Sequence, residues 1–430
     1  MTNAYSKDIK NFLSQVKKRS TDLPELYAIF ERCYGNTLET TITELEDHSV
    51  FLLTGDIPAM WLRDSAAQMR PYLFPARNST LIRDLIAGVV KRQFFYINID
   101  PYANAFNKTP CGACYDSQDL NPDPWLWERK FELDSLCYPV QLSYLLWKNT
   151  GCTSQFDSLY AKGAQKILDV FETEQYHEEK SDYRFVRNNT YHTETLSRKG
   201  KGSLTNPGIG LIWSGFRPSD DACTYGYSIP GNMFASVILG YLGEIAADVL
   251  HDPSLASRAL KLKQEVETAI ETWGKTRTKE FGTIYAYEID GYGMYNLMDD
   301  ANTPGLLSME YFGYKGDKEV MENTKKFILT DANPYYFKGK AASGLGSPHT
   351  HYGNIWHISM AIQGLIASSK EEKLKMLQNM AATTGGTGLM HESFFCDDDR
   401  VYTREWFSWA NAIYSELFLD YLGYELEGVF

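Results

Sequence analysis

The residues best able to do chemistry are acidic, basic and aromatic side chains gathered in six polar segments. These segments are MWLRDS, WERKFELDS, RPSDDACTYGYSIPGN, MDDANTPG, GSPHTHYGN, and GLMHESFF through YTREW. One carboxyl group can protonate a leaving sugar oxygen while a second attacks the sugar or activates water. Asp, Glu, Arg and Asn also bind sugar hydroxyls, because each hydroxyl both donates and accepts hydrogen bonds. Together the six segments predict a saccharide site, whose candidate substrate-binding residues are Trp61, Arg63, Asp64, Glu128, Lys130, Asp299, Asn302 and His349.

A second interpretation applies to each acidic residue in these segments, because acids also cap helices. Asp64 or Ser65 can accept bonds from the free N–H groups at the start of the helix that follows Trp61. A tryptophan face beside the charged Arg63 and Asp64 also suits a ligand with polar and apolar surfaces. The residues alone leave both interpretations open. Capping is the better interpretation for Asp134, Asp300 and Glu405.

The elements that position the six segments are helices, since apolar residues recur with helical spacing along most of the chain. Helices are predicted near 7–19, 23–35, 64–74, 79–97, 135–149, 156–175, 232–250, 254–274, 303–312, 316–329, 354–368, 370–383 and 406–424. Short strand-like pieces occur at VFLLTG and TIYAYEIDGYG. After the first helix, an amphipathic helix and a more apolar helix alternate six times, and each polar segment precedes the apolar one. This order predicts an all-α toroid of six hairpins, with short β pieces in the loops and the inner helices buried on all sides.

A toroid of this kind would place all six polar segments at one end, where the inner helices begin. Helix N-termini carry partial positive charge and favour carboxylates there. No Gly/Ser-rich or highly charged linker interrupts the chain, so residues 1–430 are predicted to form one domain.

Composition excludes several classes of partner. The 430 residues carry a formal net charge of −13, which disfavours binding to nucleic acid. No run of 18 apolar residues indicates a membrane span, and the N-terminal segment lacks a signal-peptide pattern. Seven cysteines, an odd number, favour a reducing compartment, so a cytoplasmic location is expected. The oligomeric state is unknown from the sequence.

Metal sites are only weakly indicated. His349 and His351 form an HxH pair, but no recognisable third ligand accompanies them. The acidic run Asp397–Asp399 lacks the glycine and terminal glutamate of a calcium loop. No phosphate-binding glycine loop is present. We therefore predict neither a metal nor another cofactor.

Five long segments resemble one known family. DIPAMWLRDSAAQMRPYL, WERKFELDSLCYP, RPSDDACTYGYSIPGNMF, NLMDDANTPGLLSMEYFGY and SPHTHYGNIWHISM are similar to glycoside hydrolase family 125, the exo-α-1,6-mannosidases of bacteria and fungi. The resemblance runs from about Ile29 to Leu422. It implies an (α/α)6 barrel and a metal-free, inverting hydrolysis of terminal α-1,6-linked mannose from mannosides or N-glycan fragments.

The resemblance also implies roles for individual residues. Asp220 corresponds to the family's general acid and Glu392 to its general base, although Asp221 adjoins the first of these. Arg63 and Asp64 resemble the pair that binds the terminal mannose. A general acid must be protonated near neutral pH, so burial or a neighbour such as Asp221 is expected to raise the pKa of Asp220.

Two other functions remain open on the sequence. Sugar epimerases share the same toroid and use histidines for proton abstraction, for which the chain offers His349, His351, His357 and His391. A non-catalytic saccharide-binding protein would have no need for two opposed acids.

Overall fold

The computed structural model describes residues 6–119, 122–188 and 190–428. Helices dominate this part of the chain. They are α1 (Ser6–Arg19), α2 (Pro24–Thr40), α3 (Leu62–Ala67), α4 (Leu73–Ala76), α5 (Thr80–Ile99), α6 (Leu133–Thr150), α7 (Ser158–Glu174), α8 (His177–Lys180), α9 (Ser197–Gly200, a left-handed turn), α10 (Ile229–Asp248), α11 (Pro253–Trp273), α12 (Lys318–Ile328), α13 (His357–Leu365), α14 (Lys370–Ala382) and α15 (Ser408–Tyr421), with 3-10 turns at Arg70–Tyr72 and His192–Glu194.

Short strands connect the helices. They are β1 (Ile42–Glu44), β2 (Val50–Leu52), β3 (Met60–Trp61), β4 (Ala105–Phe106), β5 (Leu126–Glu128), β6 (Tyr227–Ser228), β7 (Lys275–Thr278), β8 (Gly282–Tyr285), β9 (Glu288–Ile289), β10 (Tyr295–Asn296), β11 (Tyr336–Lys338), β12 (Ser343–Leu345), β13 (Asn354–Trp356), β14 (Ser393–Phe395) and β15 (Asp398–Thr403). They pair antiparallel in sheets of two or three strands. The predicted helical fold with short β pieces is confirmed at this level.

Buried and half-exposed helices alternate along the chain. In α15 every residue from Ser408 to Leu419 is buried, and α6 and α10 are buried along most of their length. Helix α11 buries only one stripe, and α14 buries only Leu377 and Met380. The buried helices contact one another in the succession α13, α15, α3, α6, α10, and the half-exposed helices cover them. This alternation matches the predicted inner and outer helices.

Helix α10 is long and apolar enough to cross a membrane by length and composition. Most of its residues are buried inside the protein. Its apolar character is therefore that of a core helix.

Two predicted helices differ in the structure. The one near 64–74 is divided into α3, a 3-10 turn and α4, because Pro71 and Pro75 have no N–H group to continue the helical bonding. The one near 303–312 is wrong, since these residues form bends and turns. There the Asp299 carboxylate accepts the N–H groups of Leu306 and Leu307, which takes those donors from a regular helical ladder.

The short strands lead directly into inner helices. Strand β3 ends where α3 begins, β6 where α10 begins, and β13 where α13 begins. Residues in and beside these strands thus lie at helix N-termini, on the same end of the helical array.

Candidate active site

The polar segments meet around one cavity. Both predicted catalytic residues, Asp220 and Glu392, line it. Among the predicted substrate-binding residues, the lining includes Trp61, Arg63, Asp64, Asn302 and His349. The rest of the lining consists of Thr54, Ile57, Pro218, Ser219, Trp356, Arg404, Phe407 and Trp409. A cavity that combines carboxylates, cations and indole rings suits a sugar, which has both hydroxyl edges and C–H faces.

Arg63 lies at the centre of the acidic side of this cavity. Its Nη1 donates to Glu132 Oε2 at 2.6 Å and to Asp134 Oδ2 at 3.2 Å. Its Nη2 donates to Asp220 Oδ1 at 3.0 Å, and its Nε lies 3.5 Å from Asp64 Oδ2. We call Arg63 and these four acids the Arg63 cluster. The planar guanidinium holds the carboxyl groups in fixed directions, which a lysine cannot do.

The start of α3 decides between the two interpretations of Asp64 and Ser65. Trp61 occupies the cap position and makes no side-chain capping bond. The Ser65 hydroxyl donates to the Leu62 carbonyl, while Asp64 faces the cavity beside Arg63. Trp61 Nε1 is buried and has no hydrogen-bond partner among the described residues. The Asp64 carboxylate and the Trp61 indole N–H are therefore available to a ligand, whereas the Ser65 hydroxyl is not.

Protonation in the Arg63 cluster differs from the expectation for Asp220. Burial raises the pKa of Glu132 well above its usual value, and Arg63 offsets this only in part. Burial acts on Asp220 as well, but a hydrogen bond from Glu132 and the charges of Arg63, Lys130 and His349 outweigh it and lower the pKa of Asp220. The raised pKa of Glu132 and the lowered pKa of Asp220 are the reverse of the expectation that Asp220 is the protonated acid.

Asp220 and Asp221 have separate environments. Asp220 has a φ of 68°, in the left-handed region that Asp adopts more readily than most residues, within a turn where its N–H donates to Arg217 O. This conformation turns its carboxyl group into the cavity, with 27% of the side chain exposed. Asp221 is buried and accepts a bond from His349 Nδ1 at 3.0 Å. The geometry therefore favours Asp220 as the residue that reaches a substrate.

Glu392 has a different set of partners on another side of the cavity. Thr403 Oγ1 donates to Glu392 Oε2 at 2.9 Å, and Arg404 Nη1 lies 3.8 Å from Glu392 Oε1. Strand pairing of β14 with β15 aligns Ser393 with Thr403 and so fixes this contact. Glu392 therefore accepts a bond from a neutral hydroxyl, and the cations Arg404 and His349 act on it by charge alone, whereas Arg63 contacts Asp220 directly.

Three predicted substrate-binding residues lie outside the cavity lining. Lys130 Nζ donates to Glu194 Oε2 at 2.9 Å, and Glu128 accepts from Arg187 Nη2 at 2.8 Å. Asp299 is fully buried beneath the turns it caps, and burial raises its pKa to about 8. Sequence spacing could not separate these residues from the lining, because they belong to the same polar segments.

The histidines also have separate positions. His349 lines the cavity, whereas His351 is exposed outside it. His357 is buried against the backbone of His391, and burial lowers its pKa to about 3. The His391 ring is buried too and bonds to the carbonyls of Thr384 and Arg404. An epimerase that abstracts protons on two faces of a sugar would need two histidines facing each other across the cavity. Of the histidines in the described part of the chain, His349 alone lines this cavity.

His349 also belongs to the group of side chains most similar to a metal site. One ligand atom each from Glu194, Asp221 and His349 lies within 4.8 Å of the others. Burial opposes the charge on His349, but Asp221 outweighs this and raises the pKa of His349 to about 9, so that no ring lone pair is free at neutral pH. Glu194 already accepts bonds from Lys130 and Arg187. These residues fit an ion-pair network better than a metal centre.

Sequence reasoning did not find several residues of the site. Trp356 and Phe407 occupy the cap positions of α13 and α15, as Trp61 does for α3. An aromatic residue immediately before an apolar helix is a signal that could have found both. Glu132 lies in the predicted polar segment WERKFELDS and occupies the cap position of α6. Its side chain makes no capping bond and contacts Arg63 instead, and no sequence pattern indicates this contact.

An array of paired helices with a carboxylate-lined cavity at the helix N-termini is an architecture of glycoside hydrolases. The chain belongs to the metal-independent α-mannosidase family GH125, whose family model matches residues 23–419. The predicted family is thereby confirmed, and with it the general activity of a mannosidase.

Individual relatives agree with this assignment. A Streptococcus pneumoniae metal-independent α-mannosidase, solved as a non-productive complex with α-1,6-mannobiose, is 48% identical with a TM-score of 0.96, covering 98% of this chain and 99% of that one. The meiotically up-regulated gene 157 protein of Schizosaccharomyces pombe is 38% identical over 441 residues, covering 97% of this chain and 86% of that protein. A bacterial glucoamylase bound to acarbose shares the fold at 14% identity and a TM-score of 0.58, over 86% of this chain and 49% of that one.

Proposed function

We propose that this mannosidase is an inverting exo-α-1,6-mannosidase in which Asp220 is the general acid and Glu392 the general base. The observation that carries the proposal is that these two carboxyl groups line one cavity with unlike surroundings. Asp220 has a proton-bearing neighbour in Glu132, while Glu392 accepts a bond from Thr403. An inverting hydrolase needs this division between a proton donor and a proton acceptor.

The positions of these groups support the following reaction. Arg63 and Asp64 hold the hydroxyls of the terminal mannose, and the Trp61 indole N–H supplies a further donor. Asp220 protonates the glycosidic oxygen as the bond to the anomeric carbon breaks. Glu392 takes a proton from the water that attacks the opposite face of that carbon. The product is β-mannose.

The substrate class is supported by the neighbours and by the shape of the helical array. The Streptococcus pneumoniae relative was solved with α-1,6-mannobiose in work on N-linked glycans. We infer that the six helix pairs close into an (α/α)6 barrel, and that the cavity lined by Asp220 and Glu392 takes one terminal residue of a mannoside or N-glycan fragment. We further propose a cytoplasmic location, for which the odd cysteine number is the support.

A digest of α-1,6-, α-1,3- and α-1,2-mannobiose with separation of the products tests the specificity. We expect mannose from the α-1,6-linked disaccharide, with the other two cleaved at least about 100-fold more slowly, since a pocket that hydrogen-bonds its substrate discriminates strongly. Equal rates on the three linkages would contradict the proposal. The Glu392→Gln variant serves as the control for contaminating mannosidases.

A further inference from the structure

The Arg63 cluster contains more carboxyl groups than cations. Four acids contact one guanidinium, at 2.6 Å for Glu132, 3.2 Å for Asp134, 3.0 Å for Asp220 and 3.5 Å for Asp64. Ionisation of all four would place four negative charges around one guanidinium, in a cluster whose side chains, apart from that of Asp220, are at most 6% exposed. A buried site of this kind lowers its charge by binding protons.

The charged groups that act on Asp220 differ from those that act on Glu132. Those that act on Asp220 are Arg63, Lys130 and His349, all cationic, together with Glu132. Those that act on Glu132 are Arg63 and two further acids, Asp134 and Asp220. Glu132 thus has one cation where Asp220 has three, and its side chain is 0% exposed against 27% for Asp220. Both differences favour the neutral form on Glu132.

The hydrogen bonds of Glu132 hold its carboxyl group beside Asp220. Oε2 accepts bonds from Arg63 Nη1 at 2.6 Å and from Ser135 Oγ at 2.7 Å, and Oε1 accepts one from Asn104 Nδ2 at 3.5 Å. Nη2 of the same guanidinium donates to Asp220 Oδ1 at 3.0 Å, so Arg63 bridges the two acids. A hydrogen bond between Glu132 and Asp220 gives a proton a direct path between the two carboxyl groups.

We propose that Glu132 is a positioning residue that stores the proton delivered by Asp220. The proposal rests on the proposed role of Asp220 as the general acid. A bound sugar covers the exposed part of Asp220 and removes water from it, which favours its neutral form. The proton then moves from Glu132 to Asp220, leaving Glu132 ionised beside Arg63.

The protons balance over one turnover. Asp220 gives its proton to the glycosidic oxygen as the C–O bond breaks, and the attacking water gives one proton to Glu392. After the products leave, Glu392 releases its proton to solvent, and the Glu132–Asp220 pair takes one proton from solvent. The net reaction is the addition of one water across the glycosidic bond.

The variants Glu132→Gln, Asp134→Asn and Asp220→Asn test this transfer on two substrates. α-1,6-Mannobiose needs protonation of its leaving group, whereas 2,4-dinitrophenyl α-mannoside does not. We expect Glu132→Gln to lower kcat about 100-fold on the disaccharide and less than about 5-fold on the aryl mannoside. Asp134 is the matched control, because it contacts the same Nη1, while the acid of this cluster that is hydrogen-bonded to Asp220 is Glu132. The Asp134→Asn variant should affect both substrates to the same extent.

An equal loss on both substrates for Glu132→Gln, or no loss on the disaccharide, would overturn the proposal. Asp220→Asn separates this outcome from failure of the proposed function. If Asp220→Asn also shows no dependence on the leaving group, the assignment of the general acid is wrong. If it keeps that dependence, only the storage role of Glu132 is wrong.

A measurement on the unmodified enzyme covers the case in which Glu132→Gln does not fold. Infrared spectra of protein labelled with 13C-carboxyl glutamate, and separately with 13C-carboxyl aspartate, assign protonated carboxyl bands at pH 7. We expect a band that shifts with the glutamate label, because Glu132 is the glutamate whose pKa burial raises in this cluster. Absence of any glutamate-dependent band would refute the proposal, and a neutral Asp299 would shift only with the aspartate label.

Discussion

Two buried arginines, Arg63 and Arg70, lie at different ends of the inner helices and contact different numbers of acids. Arg70 faces one acid, Glu416 in the second half of α15, through bonds of 3.1 Å from Nε and 2.7 Å from Nη2. Its guanidinium lies 4.5 Å from the centre of the Tyr311 ring, and the Tyr311 hydroxyl donates to Glu416. Arg63 faces four acids next to a cavity.

The comparison shows that the direct contacts of each arginine, and not the size of the neighbouring cavity, distinguish the two regions. A cavity of about 650 Å³ lies beside Arg70 and is larger than the one beside Arg63. The Arg70–Glu416 pair is a buried one-to-one contact between a cation and an acid, so it has the character of a structural ion pair. The Arg63 cluster has an excess of acid and a partly exposed carboxyl group, which are properties of a reacting site.

The largest expected effect comes from Arg63→Lys. Lysine keeps the charge but cannot bridge Glu132, Asp134 and Asp220 at once, so the acid and the sugar-binding groups lose their alignment. We expect kcat/KM on α-1,6-mannobiose to fall about 100- to 1000-fold with the fold retained. Steady-state kinetics and circular dichroism measure the two properties. Normal kinetics with a much less stable fold would mean that Arg63 is structural.

The same substitution at the other end, Arg70→Lys, is the matched control and should have the opposite result. It removes the paired hydrogen bonds to Glu416 and the stacking on Tyr311. We expect the free energy of unfolding to fall by about 1–3 kcal/mol, while kcat/KM changes less than about 3-fold. Urea unfolding and the same kinetic assay provide the measurements. A loss of activity equal to that of Arg63→Lys would remove the distinction between the two arginines.

A smaller, pH-dependent effect is expected at His349. Its pKa in the folded protein, about 9, exceeds the usual value of 6.5, because Asp221 outweighs the effect of burial. The ion pair therefore stabilises the fold fully below pH 6.5 and loses this contribution as the pH rises through about 9. His349→Gln should be less stable than the wild type at pH 6, and the difference should shrink by pH 9.5. Urea unfolding across this range checks the trend, and a pH-independent difference would contradict it.

Much of the helical frame could be predicted because its signals are local. Apolar spacing predicted the outer helices such as α7 and α11 to within a few residues. The stretch near 303–312 could not be predicted, since its turns depend on Asp299 accepting two N–H groups within the folded core. The apolar residues of this stretch suggested a core helix, but they are apolar because the turns are as buried as a core helix would be.

Part of the lining of the site could be predicted from the sequence, but the protonation of its acids could not. The motifs brought Asp220, Glu392 and Arg63 to one cavity, as the family resemblance implied. The role of Glu132 depends on its contacts with Arg63 and with Asp220, 88 residues further along the chain. Such a contact belongs to the tertiary structure, and no local pattern in the sequence encodes it.

The most direct test of the account is the anomeric form of the first product. Proton NMR of α-1,6-mannobiose hydrolysis, recorded before mutarotation, distinguishes the two stereochemical outcomes. With Asp220 as acid and Glu392 as base acting through water, the account predicts that β-mannose appears first and α-mannose accumulates only later. Initial release of α-mannose would mean retention, and would contradict the assignment of Glu392 as a general base.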